Sequence, residues 1–256
     1  MSYNRIFITG ASRGIGEALA RHYAGPGVVL GLTANVRMDD LQVVAEACRG
    51  SGAEVFLYQA NVVDEARMRE CAEDFIGKVS SVDLVIANAG IALTEDESFS
   101  DSKIARENMS VNYLGLIHTL LPFAEKMKAL RAGHLAAVSS IASFRSTQNS
   151  GAYSASKSAV NLWTEGLRLR LQPFSVGVST LHVGFVDTEM TRKNPFWMPG
   201  LISPSKAAAI MARAIQKRKR SVLFPWQVAI IWSMFRIMPG EIYDFVIRRA
   251  KKSLVK

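Results

Sequence analysis

Short apolar runs alternating with helical patterns constrain this chain more than any single motif does. Residues 5–9, 27–32, 54–60, 82–87, 135–138, 176–182 and 221–224 are rich in Val, Ile, Leu and Phe. Between them lie longer stretches with helical spacing, at about 39–49, 64–78, 101–130 and 152–171. Strands that are apolar almost throughout are buried on both faces, and their alternation with helices predicts a parallel sheet with helices on each side. The chain has 256 residues, 49% of them hydrophobic, enough for one large core without a second domain. The expected architecture is a single α/β domain, a doubly wound parallel sheet of about seven strands.

Motifs fall where such a sheet binds ligands, at the carboxyl ends of its strands. The first strand runs straight into Gly10-Ala11-Ser12-Arg13-Gly14-Ile15-Gly16 and then into helix. Strand, glycine loop and helix together aim backbone N–H groups and a helix N-terminus at a pyrophosphate, which makes the fold Rossmann-like. The second strand ends in Thr33-Ala34-Asn35, with no acidic residue to hold a ribose 2′-hydroxyl. Arg13, joined by Arg37, is instead suited to a 2′-phosphate, which leans the reading toward NADP over NAD. Ordinary solvent exposure is the competing account of both arginines. Asn61-Val62, Asn88-Ala89-Gly90 and Ser139-Ser140 also stand at strand ends.

Downstream of Ser140, Tyr153 and Lys157 open a helical pattern four residues apart, so both side chains leave one face. An ammonium beside a phenol favours the phenolate and should lower its pKa from about 10. Such a phenol is suited to protonating a developing alkoxide. A lone Tyr-x3-Lys pair is weak, and its weight comes from its neighbours. Asn112 and Gly115 both weaken the middle of the helix at about 101–130, which predicts a local distortion that turns the asparagine toward the site. After the sixth strand, Val186 and Thr188 precede a Pro-, Met- and aromatic-rich stretch at about 189–203, the expected substrate loop.

Charge divides the chain. Residues 1–205 carry 19 Lys and Arg against 20 Asp and Glu, whereas residues 206–256 carry 12 against 2. The overall net charge of +9 therefore describes a basic C-terminal segment. That segment has no nucleic-acid recognition motif around it and the core is neutral, which excludes a nucleic-acid partner. Residues 226–256 form an expected basic, aromatic helical extension packed on the Rossmann-like domain of residues 1–225. Its first helix should carry Pro225 in the first turn and is too short to span a bilayer. An apolar, Trp-bearing helix with basic neighbours suits an anionic membrane surface, and it equally suits a cover over the pocket or a dimer interface. Cys48 and Cys71 read as reduced thiols, and the four histidines lack metal-ligand spacing. Strand residues follow the N-terminus almost at once, without a signal-peptide pattern, so a cytoplasmic location is expected, with membrane association at most peripheral.

Together these residues resemble the short-chain dehydrogenase/reductase family in its compact type. The resemblance spans about residues 5–225 and rests on Thr9-Gly10-x3-Gly14-x-Gly16, Asn88-Ala89-Gly90, Asn112, Ser140, Tyr153 and Lys157. It implies that Tyr153 is the general acid/base, that Lys157 lowers its pKa and binds the nicotinamide ribose, and that Ser140 holds the substrate carbonyl. It implies that Asn112 supports a proton relay. Gly10, Ser12, Arg13, Gly14, Ile15 and Gly16 would line the pyrophosphate and adenosine. Asn61 and Val62 would meet the adenine, Asn88, Ala89 and Gly90 its ribose, and Val186 and Thr188 the carboxamide. Hydride would pass between the cofactor and a carbonyl or alcohol substrate, with no metal, in a homodimer or homotetramer built through the long helices. Two departures stand out: Asn61 where the family usually has Asp, and Val183 where it usually has Pro. The alternatives are a cofactor-binding regulatory or scaffold protein without turnover and a membrane-surface reductase of lipid-linked substrates.

Overall fold

The computed structural model describes residues 3–95, 102–192 and 198–254. Its centre is a sheet of seven parallel strands: β1 (Arg5–Ile8), β2 (Val29–Ala34), β3 (Glu54–Gln59), β4 (Leu84–Ala87), β5 (His134–Ser140), β6 (Gly177–Val183) and β7 (Ser221–Phe224). Their spatial order is β3-β2-β1-β4-β5-β6-β7. The chain builds outward from β1 to β3, returns across the sheet, and continues from β4 on the other side of β1. A crevice therefore opens between the carboxyl ends of β1 and β4, where the winding reverses.

Alternation along each strand sorts its side chains between two cores. Ile6 and Ile8 of β1, Leu84 and Ile86 of β4, and Ala136 and Val138 of β5 join one buried cluster. It is completed by α1 (Gly14–Tyr23), α2 (Met38–Gly50) and α8 (Pro204–Gln216) through Leu19, Leu41, Val44 and Met211. Phe7, Val85, Leu135 and Ala137 point the other way, against α3 (Glu65–Val79), α5 (Gly115–Leu130) and α6 (Gly151–Leu171). Phe7 packs against Phe75 and Phe123 there, with ring centroids 5.5 and 4.9 Å apart. This two-sided burial is why the strands read as continuous apolar runs. Cys48 and Cys71 are free and buried, one in each core, and burial raises both thiol pKa values.

Local chemistry sets several boundaries. Asp64 caps α3 by accepting from the Arg67 amide at 2.9 Å, and Ser203 caps α8, where Pro204 takes the first position. The helix expected at about 101–130 is broken. Its described part is α4 (Ser102–Met109), a π-helical turn at Ser110–Leu114, and then α5. The C-terminal segment forms α9 (Trp226–Ile237) and α10 (Gly240–Leu254). Pro225 lies at the N-cap of α9, one residue before the first turn in which it was expected. Arg145 ties α9 to the domain by donating to the carbonyls of Phe235 (3.1 Å) and Met238 (2.5 Å). Tyr243 of α10 donates to the Ser146 carbonyl at 2.7 Å. Among the described residues no helix is long and apolar enough to cross a membrane.

Candidate active site

The glycine loop leaves β1 beside the end of β4. Gly10 has φ +65° and Gly14 φ +60°, conformations that side-chain-bearing residues rarely adopt. A Cβ on Gly16 would run into the Gly10 carbonyl oxygen, so the loop closes onto α1 only without one. Asn88 braces this turn by donating to the carbonyls of Thr9 (3.0 Å) and Gly10 (3.1 Å). Thr9 Oγ1 in return accepts from the amides of Asn88 and Ala89. Arg13, at the N-cap of α1, makes no side-chain capping bond, and the partial positive charge of this helix start faces the crevice. Ser12 is half-exposed in the loop, while Ile15 turns back onto the core. The tight glycine turn and helix start fit a dinucleotide's pyrophosphate.

Ser140 ends β5 and caps a short 3₁₀ turn, Ile141–Ser143, its Oγ accepting from the Ala142 amide at 3.2 Å. Tyr153 lies in the first turn of α6, with Ser140 close enough to act on its phenol. Lys157, 5% exposed, stands one turn further along, and its Nζ donates to the Val138 carbonyl at 3.0 Å. Gly90 lies against both Lys157 and Asn112: a Cβ there would be 3.4 Å from Lys157 Nζ and 2.9 Å from Asn112 Oδ1. The fully buried Asn112 occupies the π-helical turn. Its Nδ2 donates to the Ile91 carbonyl (2.9 Å) and Ser156 Oγ (3.0 Å), and its Oδ1 accepts from the Ile91 amide (2.9 Å). The sequence-predicted distortion therefore exists, and it aims this side chain at the segment after β4.

Electrostatics here correct one expectation. The Tyr153 phenol does not sit below its ordinary pKa: burial pushes it above that value, opposed by the Ser140 hydroxyl. The ammonium is itself destabilised by burial, which lowers the Lys157 pKa to about 8. A cation loses hydration at this depth, and the neutral Val138 carbonyl does not replace it.

Other expected contacts are placed less uniformly. Asn61 is exposed, and its Oδ1 accepts from the Val63 amide at 3.1 Å, shaping the turn into α3. Val62 is buried against the start of α5, where its carbonyl is 3.0 Å from His118 Nδ1. Val186 is buried and bridges to Ile202, while the Thr188 methyl lies 3.2 Å from where a Gly14 Cβ would stand. Within the expected substrate loop, Glu189–Arg192 form the short helix α7, and Pro195, Phe196 and Trp197 fall outside the described residues. Arg13 and Arg37 are only half exposed to solvent, and both pair with Glu189.

Several residues at the site carry no sequence signal. Glu95 accepts from the amides of Gly151 (2.7 Å) and Ala152 (2.6 Å), capping the helix that bears Tyr153 from 56 residues away. Asn108 donates to the Leu93 carbonyl at 3.0 Å. Asn161 bridges Ser139 Oγ (2.7 Å) and Ser143 Oγ (2.8 Å), bracing the turn after Ser140. Each acts across a long sequence separation, which motif reading cannot span.

A doubly wound sheet with a glycine turn at its switch point, facing a Ser, Tyr and Lys set, defines an oxidoreductase that works with a nicotinamide dinucleotide. Residues 4–198 match the family model described as short chain dehydrogenase, and the chain belongs to that family. It is 32% identical over 251 residues to an uncharacterized oxidoreductase of Myxococcus xanthus, covering 98% of this chain and 99% of the relative. An 11-beta-hydroxysteroid dehydrogenase A of Sesamum indicum is 33% identical over 73% of this chain and 53% of its own length. Among solved structures, an alcohol dehydrogenase from Thermococcus sibiricus complexed with 5-hydroxy-NADP superposes with a TM-score of 0.77 at 28% identity, over 86% of this chain and 95% of that one. A short chain dehydrogenase from Mycobacterium paratuberculosis bound to NAD gives 0.77 at 22% identity, covering 87% and 97%, and supports the fold alone. The protein is an NAD(P)-dependent oxidoreductase of this family.

Proposed function

We propose that the protein interconverts a fairly apolar carbonyl compound and its alcohol using NADP(H), with Tyr153 as general acid/base. The observation that carries this reading is the Tyr153 phenol, close to Ser140 and one helical turn from a buried Lys157, beside the glycine turn. The cofactor supplies or accepts the hydride. In reduction, Ser140 Oγ hydrogen-bonds the substrate oxygen and Tyr153 protonates it as negative charge develops there. Lys157 binds the nicotinamide ribose, and a charged Lys157 then favours the phenolate. Asn112 holds the Ile91 backbone in place and supports proton exchange with solvent through the same polar cluster. Gly10, Ser12, Gly14 and Gly16 receive the pyrophosphate, and Asn61, Val62, Asn88 to Gly90, Val186 and Thr188 flank the rest of the dinucleotide. Arg13 and Arg37 take the 2′-phosphate, in keeping with the absence of an acidic residue at Ala34-Asn35. The steroid dehydrogenase among the relatives favours an apolar substrate.

Fluorescence titration with NADPH and NADH in parallel tests the cofactor. Tighter binding of NADPH is expected, and equal or weaker binding would sink the NADP reading. Turnover of ketone and aldehyde substrates that survives Tyr153→Phe would remove the assigned acid.

A second reading places the enzyme at a membrane surface, favoured by one observation. Trp226, Ile230, Met234 and Ile237 are 55–83% exposed at helical spacing along α9. The basic residues do not all share that face: Lys217 to Arg220 precede β7, at the opposite end of the sheet, where Arg218 donates to the Ser175 carbonyl at 2.7 Å. Co-sedimentation with anionic vesicles, lost in a Trp226→Ser/Ile230→Ser double variant, is the expected result if α9 lies on lipid. Assembly as a homodimer or homotetramer through α5 and α6 is favoured by Leu162 and Leu169, 74% and 57% exposed on α6. A monomer by light scattering would overturn it.

A further inference from the structure

One carboxylate occupies the two arginines assigned to the 2′-phosphate. Arg13 leaves the glycine loop, Arg37 stands at the N-cap of α2, and Glu189 opens α7 just after Thr188. Arg13 Nη1 donates to Glu189 Oε2, and Arg37 Nη2 lies 3.4 Å from Glu189 Oε1. Arg37 has a further partner in Asp40 at 3.4 Å. The side chains of Arg13, Glu189 and Arg37 are 50%, 48% and 44% exposed, so a ligand arriving from solvent reaches all three. Residues separated by 176 and 152 positions thus meet at one point on the crevice rim.

We propose that Glu189 is a selectivity residue: an internal anion that holds Arg13 and Arg37 and that a 2′-phosphate must displace. The inference rests on the NADP reading above. A carboxylate brings one negative charge and two acceptor oxygens, whereas a phosphomonoester brings about −1.5 to −2 and three. Arginine forks bind phosphate bidentately, so the phosphate wins the exchange. A ribose 2′-hydroxyl carries no charge and leaves both ion pairs in place. Glu189 therefore opposes NADP(H) and leaves NAD(H) untouched, narrowing a preference that the arginines alone would make wider.

The test is a set of equilibrium titrations on the full chain with NADPH, NADH and 2′,5′-ADP, which carries the 2′-phosphate without a nicotinamide. Wild type, Glu189→Gln and Arg13→Ala are compared, with thermal melts to confirm folding. Each exposed ion pair is worth a factor of roughly 1.5 to 5 and Glu189 makes two, so Glu189→Gln should tighten NADPH and 2′,5′-ADP by roughly threefold to tenfold and leave NADH within about twofold. Unchanged affinities, or an equal shift for all three ligands, would overturn the inference. The Arg13→Ala arm separates it from the reading beneath it. If that variant weakens NADPH and 2′,5′-ADP selectively, NADP binding stands and a silent Glu189→Gln sinks only the role of Glu189. If it affects all three alike, the NADP reading falls and takes the inference with it.

Discussion

The amino and carboxyl ends of the same seven strands treat buried polar groups in opposite ways. At the amino end they satisfy one another. Asp83 pairs with Arg5 at 2.5 Å and accepts from the Asn4 and Arg5 amides. His134 lies 2.8 Å from Ser179 Oγ and 3.1 Å from the Tyr3 hydroxyl, and Ser179 Oγ donates to the Lys219 carbonyl. At the carboxyl end Lys157 is equally buried, yet its ammonium faces a neutral carbonyl, and the Tyr153 phenol is held above its ordinary pKa by burial. The first arrangement stabilises the fold. The second costs stability, and it is on these groups that the proposed chemistry is placed.

The largest test of that contrast is Tyr153→Phe. It should lower kcat by about a thousandfold with little change in melting temperature or cofactor affinity, measured by steady-state kinetics and thermal denaturation. A stability loss comparable to the activity loss would erase the difference between the two ends.

Lys157→Met should separate stability from activity. The folded pKa is about 8 against an ordinary 10.5, so below pH 8 the side chain is charged in both states and its burial opposes folding. That penalty is relieved as pH rises from about 8 to 10.5, because the unfolded chain then binds the extra proton. The methionine variant should be inactive yet more stable at pH 7, by on the order of 2 kcal/mol, with the advantage gone near pH 10.5. Urea denaturation at several pH values decides it.

His134 offers the converse. Burial, aided by Arg218, lowers its pKa to about 3 from 6.5, so the unfolded state takes the proton first. The stability this neutral histidine contributes is complete above pH 6.5 and is lost as pH falls toward 3. His134→Gln should cost about 1–3 kcal/mol at pH 7, flatten the acid dependence, and leave kcat unchanged. Activity falling with stability would show that the two ends are coupled.

Glu95→Gln should have the smallest effect. Weakening a charged cap on α6 should cost about 1 kcal/mol and reduce kcat/KM a few-fold, partly restored by Glu95→Asp. Kinetics and melts on the pair of variants would sharpen how far the carboxyl end depends on a remote brace.

How much could be read in advance follows from the range of each interaction. The strands were legible because burial on both faces leaves runs such as Leu84-Val85-Ile86-Ala87 wholly apolar. The glycine loop, Tyr153 and Lys157 were legible because a tight turn and one helical turn act over a few residues. Asn112 was legible as a local weakness in a helix, and it proved to be the π-helical turn. Electrostatics were not legible. The tyrosine and lysine sit at the expected spacing, but the depth at which α6 packs raises the pKa of one and lowers that of the other. The Glu189 contacts were equally hidden, since the two arginines reach it only where the glycine loop, the start of α2 and the end of β6 converge.

By itself, then, the sequence determined the class of sheet, the loop suited to a pyrophosphate and the side chains able to move a proton, because hydrophobic period, glycine conformation and helical spacing are local properties. Only the tertiary structure decided which ends of the strands carry balanced polar networks and which carry costly ones. It also decided that Glu95 caps the Tyr153 helix and that Glu189 holds Arg13 and Arg37. Hydrogen bonds and charges depend on distance and burial through space, and neither is written in the order of the residues.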